Sequence, residues 1–351
     1  MNCLNKLFIV FLVLFLSACA SPVSNTDAAI QPEQPTVAMT KTTVDPMEDA
    51  SEWLLNATLG GGPGEDEMFL TRLDDSTGES YISVQELVNA LQTDEERQES
   101  QDSYLSMGKL NRDGSRLAVY RWWDGEEQSV VEIYDLREGK KVQGFDMPGD
   151  LLDVSADLTH YFYEQEEQFY VYDSIAGQEL NIRLEQDHAL EAAHEDRALD
   201  RYRHGKFSPD HTEISLPAAN NGIVVANIQK GTSELILTDR KISSIVLWDD
   251  SEQLIYTVNE HEDSFLSDIY VLDMTTGQSQ RIGAAEDTFV LSPDHTKMIE
   301  VNQELVKIFL VNLQNDEKRD ITSTVNGHGN WTYPEQWIMS NIDYLKYLAA
   351  R

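Results

Sequence analysis

The residue types best suited to metal chemistry gather in residues 188–204. His188, Glu191 and Glu195 are spaced i, i+3 and i+7, so on a helix one imidazole and two carboxylates share a face. Such groups are ligands for divalent cations. Their intervals match no established zinc motif, and charged residues at helical spacing more often form a solvated face. These three residues are therefore metal-ligand candidates only, and the sequence predicts no bound cofactor.

The same segment carries the densest basic cluster of a strongly acidic chain, which includes Arg197 and Arg201. Two interpretations of this cluster are open. The arginines could bind an acidic partner or a sugar acid, or they could neutralise Asp196, Asp200 and the nearby acidic surface.

Sequence signatures of catalysis are missing from the chain. It has no Gly-x-Ser-x-Gly segment of a serine hydrolase, and the glycine-rich residues 59–64 lack the Lys-Ser/Thr pair of a phosphate-binding loop. A glycosidase needs two carboxylates at a set separation, and among 62 Asp and Glu residues the sequence selects no pair. The sequence therefore favours a protein without catalytic activity.

A repeating four-strand unit organises most of the chain, and residues 245–282 show it most plainly. Short apolar or alternating segments at 242–247, 253–258, 268–272 and 278–282 are separated by turn-forming residues. Four strands in about forty residues are typical of one blade of a β-propeller.

Two markers follow this unit along the chain. An Asp or Asn ends each third strand before a hairpin turn, and an aspartate turn follows each first strand at intervals of 44, 53, 40 and 44 residues. The turn aspartates are Asp113, Asp157, Asp210, Asp250 and Asp294. Five complete blades are predicted from these markers alone.

A sixth blade is predicted from the two ends of the chain. Residues 68–73 and 79–83 supply two strands, and residues 336–339 and 344–349 supply the other two. Joining them closes the ring and removes exposed sheet edges. The predicted fold class is thus all-β, a propeller of six four-stranded blades with two short helical insertions; seven blades is the alternative.

The turns and hairpins resemble a known repeat. Residues 208–212 and 292–296 are identical Ser-Pro-Asp-His-Thr pentapeptides, and Tyr-Asp-x-x-x-Gly hairpins begin at Tyr134 and Tyr172. These segments resemble the TolB-like, WD40-like propeller repeat of bacterial envelope proteins. The resemblance implies the fold but no single function, since this scaffold supports many roles. His211 and His295 replace the repeat's usual glycine, and both are predicted to adopt the left-handed backbone region.

Four additions to the repeat are predicted to lie on one face of the propeller. Ser83 and Glu86 form a capping box that opens one helix, and a second helix is predicted over residues 188–204. Both interrupt connections between blades, which open on the same face as the two long loops, residues 121–129 and 259–267. The predicted binding face comprises Trp122, Trp123, Asp124, His261, Asp263, Phe265, Arg197 and Arg201.

The role of Trp122 and Trp123 is open between two interpretations. Exposed aromatic side chains on a loop are frequent anchors of protein interfaces. Alternatively, the two indoles simply cover the edge of a blade.

The N-terminal residues are predicted to direct the localisation of the protein and not to belong to its folded domain. Residues 7–16 are an unbroken apolar run, suited to a signal peptide and too short to span a bilayer. The following Leu-Ser-Ala-Cys, ending at Cys19, resembles the lipobox of bacterial lipoprotein signal peptides, which implies cleavage before Cys19 and lipidation of that residue. Ala20 rather than Asp follows it, which by the same resemblance implies the outer membrane, periplasmic side.

Three regions are predicted along the chain. Residues 1–18 form the signal peptide, and residues 19–50 form a tether because they are rich in Ser, Thr, Pro, Ala and Gln and cannot bury enough surface to fold. Residues 51–351 form the propeller domain.

The formal charge of −36 limits the classes of partner. An acidic surface repels phosphate backbones and anionic lipid headgroups, which argues against nucleic acid and against membrane contact except through the lipid anchor. We expect the propeller to bind a protein partner in the envelope as a binding or scaffold module. The alternative is a saccharide-binding or carbohydrate-active propeller that uses the mouth of its channel.

Overall fold

The computed structural model describes fourteen segments of the chain, which are residues 51–59, 67–73, 81–101, 103–123, 129–166, 168–182, 205–218, 222–238, 242–249, 251–259, 266–285, 288–302, 307–325 and 331–340. All of them belong to one compact unit of the chain, Val44–Arg351.

Strands make up most of these segments. The strands in the first half of the chain are β1 (Ser51–Leu59), β2 (Glu67–Arg72), β3 (Tyr81–Ser83), β4 (Ser103–Leu110), β5 (Arg116–Trp123), β6 (Ser129–Asp135), β7 (Lys140–Met147), β8 (Asp150–Val154), β9 (His160–Gln165), β10 (Gln168–Asp173) and β11 (Gln178–Asn181). Those in the second half are β12 (Lys206–Phe207), β13 (Glu213–Ala218), β14 (Gly222–Asn227), β15 (Thr232–Thr238), β16 (Ile242–Trp248), β17 (Gln253–Val258), β18 (Ser267–Asp273), β19 (Gln278–Ala285), β20 (Phe289–Leu291), β21 (Lys297–Asn302), β22 (Lys307–Asn312), β23 (Glu317–Asp320) and β24 (Trp331–Ser340). The helices among the described residues are α1 (Val84–Leu91), α2 (Asp94–Glu99) and α3 (Thr322–Val325).

These strands form six four-stranded antiparallel sheets, which are the blades of a β-propeller. Blades 1 to 5 take consecutive strands: β4–β7, β8–β11, β12–β15, β16–β19 and β20–β23. Blade 6 has the order β24-β1-β2-β3. First strands of neighbouring blades contact one another, as β8 with β12, β12 with β16 and β20 with β24. The prediction of six blades is confirmed.

Among the described residues, blade 6 closes the ring with one strand from the C-terminal side, β24, which contains the predicted strand at residues 336–339. β24 is its first strand, and β1 lies between β24 and β2 and pairs with both. The sequence prediction omits β1 and instead assigns a strand to residues 344–349, which lie outside the described residues.

The burial of β1 explains why its sequence lacks the alternation of apolar and polar residues that indicates a strand. Trp53, Leu54 and Leu55 are consecutive, and all three are fully buried. Leu55 packs into the cluster towards blade 1, whereas Leu54 packs into the cluster towards blade 5. A strand that is covered on both faces shows a continuous apolar run rather than alternation.

Hydrophobic clusters fill the spaces between adjacent blades. Between blades 1 and 2, Val131 and Ile133 of β6 pack in one cluster with Tyr161 and Tyr163 of β9, and comparable clusters fill the other interfaces. Each fully buried aliphatic or aromatic side chain contributes about 1.5–3 kcal/mol. Because every blade packs against two neighbours, the ring holds the loops at its two ends in fixed positions.

The turns that follow the first strands have a shared hydrogen-bonded form. In blade 3, Ser208 Oγ donates to Asp210 at 2.7 Å, and both the N–H and the Oγ of Thr212 donate to the same carboxylate. His211 has a φ of 61°, and its counterpart His295 has a φ of 55°. The prediction that both histidines adopt the left-handed region is confirmed.

A helical insertion follows β3, as the capping box predicts. Ser83 is the N-cap of α1, which begins at Val84. Its Oγ accepts a hydrogen bond from the Glu86 N–H at 3.2 Å. α2 was not predicted, although Thr93 and Glu96 form a complete capping box at its start. The other predicted helix, residues 188–204, lies outside the described residues.

A membrane-spanning helix is not found in the described part of the chain. None of its helices is both long enough and apolar enough to cross a bilayer.

Candidate binding face

One end of the propeller, here called the loop face, is the end at which β4 and β6 begin and β5 ends. Ser103, Trp123 and Ser129 mark it in blade 1. The opposite end, here called the turn face, carries the turns that follow the first and third strands, such as those at Asp157 and Asp173.

Two aromatic side chains form a pair on the loop face of blade 1. Tyr104 of β4 is the strand partner of Trp122 in β5, and their ring centroids lie 4.8 Å apart. The Trp122 side chain keeps 38% of its surface exposed, whereas Trp123 is half-buried. Trp122 thus presents an exposed indole whose other side is covered by Tyr104.

The structure describes Trp122 and Trp123 among the predicted site residues. Cys19, Asp124, His188, Glu191, Glu195, Arg197, Arg201, His261, Asp263 and Phe265 lie outside the described residues. Leu266, which adjoins the second predicted loop, is 53% exposed at the loop face of blade 4.

A buried ion pair lies next to the aromatic pair in blade 1, on the opposite face of the same sheet. The Arg121 Nε donates to Glu132 Oε2 at 3.0 Å, and the Arg121 Nη1 donates to Ser103 Oγ at 2.6 Å. Arg121 and Ser103 each immediately precede a member of the aromatic pair. This pair is not predicted from the sequence, although a lone arginine between apolar strand residues could have indicated it.

The carboxylate of this pair has three partners. Besides Arg121, Glu132 accepts hydrogen bonds from Lys141 Nζ and the Tyr134 hydroxyl, both at 2.8 Å. Burial acts to raise the pKa of Glu132, but Arg121, Lys141 and Tyr134 outweigh it and hold the pKa below its usual range. Burial and the neighbouring Glu132 both raise the pKa of Tyr134. Glu132 is therefore a fixed negative charge at neutral pH.

The same network fastens the helical insertion to blade 1. Gln92, which follows α1, donates its amide to the Tyr134 hydroxyl at 2.9 Å and accepts from Ser100 Oγ at 3.3 Å. The Arg97 guanidinium donates to the Asn89 carbonyl at 2.7 Å, which ties α2 to α1. The insertion and the aromatic pair are therefore both attached to blade 1, on opposite faces of its sheet.

Charged side chains from the first strands of three blades meet near the centre of the ring. Lys109 of blade 1 lies 2.8 Å from Asp153 of blade 2, and Lys206 of blade 3 lies 3.4 Å from the same carboxylate. Burial would raise the pKa of Asp153, but the two lysines outweigh it and lower that pKa. Asp153 is thus neutralised by its neighbours.

A groove of about 560 Å³ lies between the outer strands of blades 1 and 2. The Phe145 ring on its wall packs edge-on against Tyr161 and tilted against Tyr172, each at 4.9 Å between centroids. Asp146 and Glu179 add exposed carboxylates. Aromatic faces next to carboxylates suit a cationic side chain.

Six four-stranded blades closed into a ring define the chain as a six-bladed β-propeller. No protein-family model and no curated protein matches the sequence. Among solved structures, TolB from Acinetobacter baumannii is similar, with a TM-score of 0.51 and 11% identity over 83% of this chain. This chain spans 65% of that TolB chain. At this identity the similarity shows a shared fold.

Other propellers are similar at lower scores. An oligogalacturonate lyase in complex with manganese has a TM-score of 0.49 and 12% identity, over 84% of this chain and 87% of its own. The β-propeller domain of Cps50 (Swd1) from Myceliophteria thermophila has a TM-score of 0.43 and 8% identity, over 76% of this chain and 88% of its own.

Proposed function

We propose that this protein is an outer-membrane-anchored periplasmic lipoprotein whose propeller binds a protein partner in the cell envelope. The observation that carries the binding role is Trp122, an exposed tryptophan fixed on a rigid support at the loop face. The proposed localisation rests on the Leu-Ser-Ala-Cys motif that ends at Cys19.

The physical case for Trp122 is one of pre-organisation. Tryptophan is among the residues most enriched at the energetic centres of protein interfaces. The Tyr104 ring packs against the indole at a tilt of 33°, and the buried Arg121–Glu132 pair ties β5 to β6 on the opposite face of the sheet. A side chain that is ordered before binding loses less conformational entropy on association. This arrangement favours a role for Trp122 in a stable protein contact over a surface position without a binding role.

Charge indicates the chemistry of the partner surface. The chain carries a formal charge of −36, and the groove beside blade 1 adds Asp146 and Glu179 to an aromatic wall. A partner with a basic surface would associate faster with such a protein, and added salt would slow that association.

Crosslinking in intact cells tests the binding role. The matched control is Ile175→Ala, because Ile175 is an apolar side chain with 79% exposure on the opposite, turn face. We expect wild type and Ile175→Ala to capture the same partner, and Trp122→Ala to lose it while keeping its thermal unfolding midpoint. Equal capture by Trp122→Ala, or equal loss with Ile175→Ala, would contradict the proposal.

Palmitate labelling and membrane fractionation test the proposed lipidation and localisation. We expect wild type to incorporate labelled palmitate and to fractionate with the outer membrane, because several acyl chains together hold a protein stably. Cys19→Ser should be unlabelled and released from that fraction. Unlabelled wild type, or labelled wild type in the inner membrane, would refute the corresponding part of the proposal.

A carbohydrate-active propeller that hydrolyses glycosides would need two free carboxylates at the channel. Asp153 does not supply one, because Lys109 and Lys206 neutralise it. We place protein binding first because of the exposed indole of Trp122. A glycan screen that showed saturable binding, lost on changing loop-face residues, would reverse that order.

A further inference from the structure

Side chains with metal-binding chemistry meet on the turn face, where blades 2 and 3 touch. Asp157 lies in the turn after β8, His160 begins β9, and His211 lies in the turn after β12. One donor atom from each lies within 4.8 Å of the other two. We propose that these three side chains bind a divalent transition-metal ion, with Zn²⁺ as the reference case, and that the ion joins blade 2 to blade 3.

The two side chains from different blades already have the separation that a shared ion requires. Asp157 Oδ2 lies 3.2 Å from His211 Nδ1. Zinc bonds to nitrogen and carboxylate oxygen measure about 2.0–2.2 Å, so neighbouring donors of a tetrahedral site lie roughly 3.3–3.6 Å apart. The ring of His160 completes three ligands with a side-chain shift of at most about 1.5 Å. Water supplies the fourth position in this arrangement.

Outer partners hold two of these ligands, Asp157 and His160. Thr159 Oγ1 donates to both oxygens of Asp157, each at 2.8 Å. Asp173 Oδ2 lies 3.8 Å from His160 Nε2, and the Asp173 carboxylate is itself fixed by the N–H groups of the turn that follows β10. A carboxylate behind a ligating histidine orients the ring and raises its basicity.

A second pair of turns provides a comparison within the same chain. Where blades 4 and 5 meet, His295 Nδ1 lies 3.5 Å from Asp249 Oδ2, much as His211 faces Asp157. Gln253 begins β17 there, in the place where His160 begins β9. The Asp–His contact is therefore shared by both turn pairs, whereas the second imidazole is a feature of blade 2. Zinc should accordingly bind between blades 2 and 3 and not between blades 4 and 5.

The test uses full-length protein that has been stripped of metal with a chelator and dialysed. Zn²⁺ binding is measured by calorimetry, and thermal unfolding is recorded with and without the ion. His160→Gln places the blade 4 residue in blade 2, His211→Asn removes the ligand from blade 3 with a residue that tolerates the left-handed region, and His295→Asn is the matched control. Unchanged unfolding midpoints without metal show that a variant is folded.

Wild type and His295→Asn should bind zinc with equal affinity and gain roughly 5 °C in unfolding midpoint when free zinc is a hundredfold above Kd. His160→Gln and His211→Asn should each weaken binding at least about tenfold, because changes even to the outer partners of a metal site cost about 10–100-fold in affinity. Zinc affinity that survives both changes, or that is lost instead with His188→Gln in the separate 188–195 segment, would overturn the proposal. So would the absence of zinc binding by wild type.

Discussion

Replacing Glu132 with Gln should destabilise the propeller far more than the same change at Glu300. Both carboxylates are buried, with side-chain exposures of 6% and 3%. Their cationic partners differ, because the Arg121 side chain is 1% exposed whereas that of Lys318 is 52% exposed. Glu132→Gln leaves a buried guanidinium without its counter-charge, whereas Glu300→Gln leaves an ammonium group in water.

The magnitudes follow from that difference. Removing one partner of a buried ion pair costs about 3–5 kcal/mol, whereas a pair with an exposed partner contributes about 0–1 kcal/mol. Glu132 also loses its charge-assisted bonds from Lys141 and Tyr134, so the upper part of the first range applies to it. We expect a loss of about 4 kcal/mol for Glu132→Gln and about 1 kcal/mol for Glu300→Gln.

Urea unfolding followed by tryptophan fluorescence measures both values by linear extrapolation. Equal m-values would show that the two variants unfold from equally compact native states. If the two free-energy losses differ by less than about 1 kcal/mol, partner burial does not decide the cost, and the reasoning fails. Arg121→Met/Glu132→Leu provides a second measurement, because replacing both charges should recover the part of the loss that comes from the unpaired guanidinium, while the loss of the bonds from Lys141 and Tyr134 remains.

Three further predictions concern acid, ring closure and strand geometry. Because its partners hold the pKa of Glu132 below its usual range, its stabilisation is complete at neutral pH and is lost as the pH falls through the folded-state pKa; acid unfolding curves should therefore be shallower for Glu132→Gln. Gln336 donates to and accepts from the Leu110 backbone at 2.9 Å, so Gln336→Ala should lower the free energy of unfolding by about 1–3 kcal/mol in urea titrations. A Cβ at Gly222 would lie 2.0 Å from a backbone carbonyl oxygen, whereas at Gly177 it would meet nothing within 4 Å; by the same assay Gly222→Ala should cost several times the roughly 1–2 kcal/mol of Gly177→Ala.

The blades could be predicted because their signals are local. Each turn closes through hydrogen bonds between residues two to five apart, as Ser208, Asp210 and Thr212 show. Such turns recur once in each blade. Each can be recognised from its own sequence, without knowledge of the neighbouring blades. The left-handed backbone at His211 and His295 followed from the same local chemistry.

The parts that could not be predicted depend on contacts between blades. β1 lies between β24 and β2, partners that stand at opposite ends of the sequence, and only this placement explains its two buried faces. The Arg121–Glu132 pair requires the pairing of β5 with β6, and the Asp157–His211 contact requires two successive blades to be docked. Sequence marked the histidines as turn residues, but it gave no sign that one of them would meet a second imidazole.

The two proposed sites should act independently. Trp122 lies on the loop face of blade 1, and the Asp157, His160 and His211 group lies on the turn face at blades 2 and 3. Distant sites that share no partner usually contribute additively to free energy. His160→Gln should therefore leave partner capture unchanged, and Trp122→Ala should leave the zinc affinity unchanged. A variant at one face that alters binding at the other by more than about threefold would mean that the packing between blades couples the two ends, and the ring could not then be treated as a rigid support.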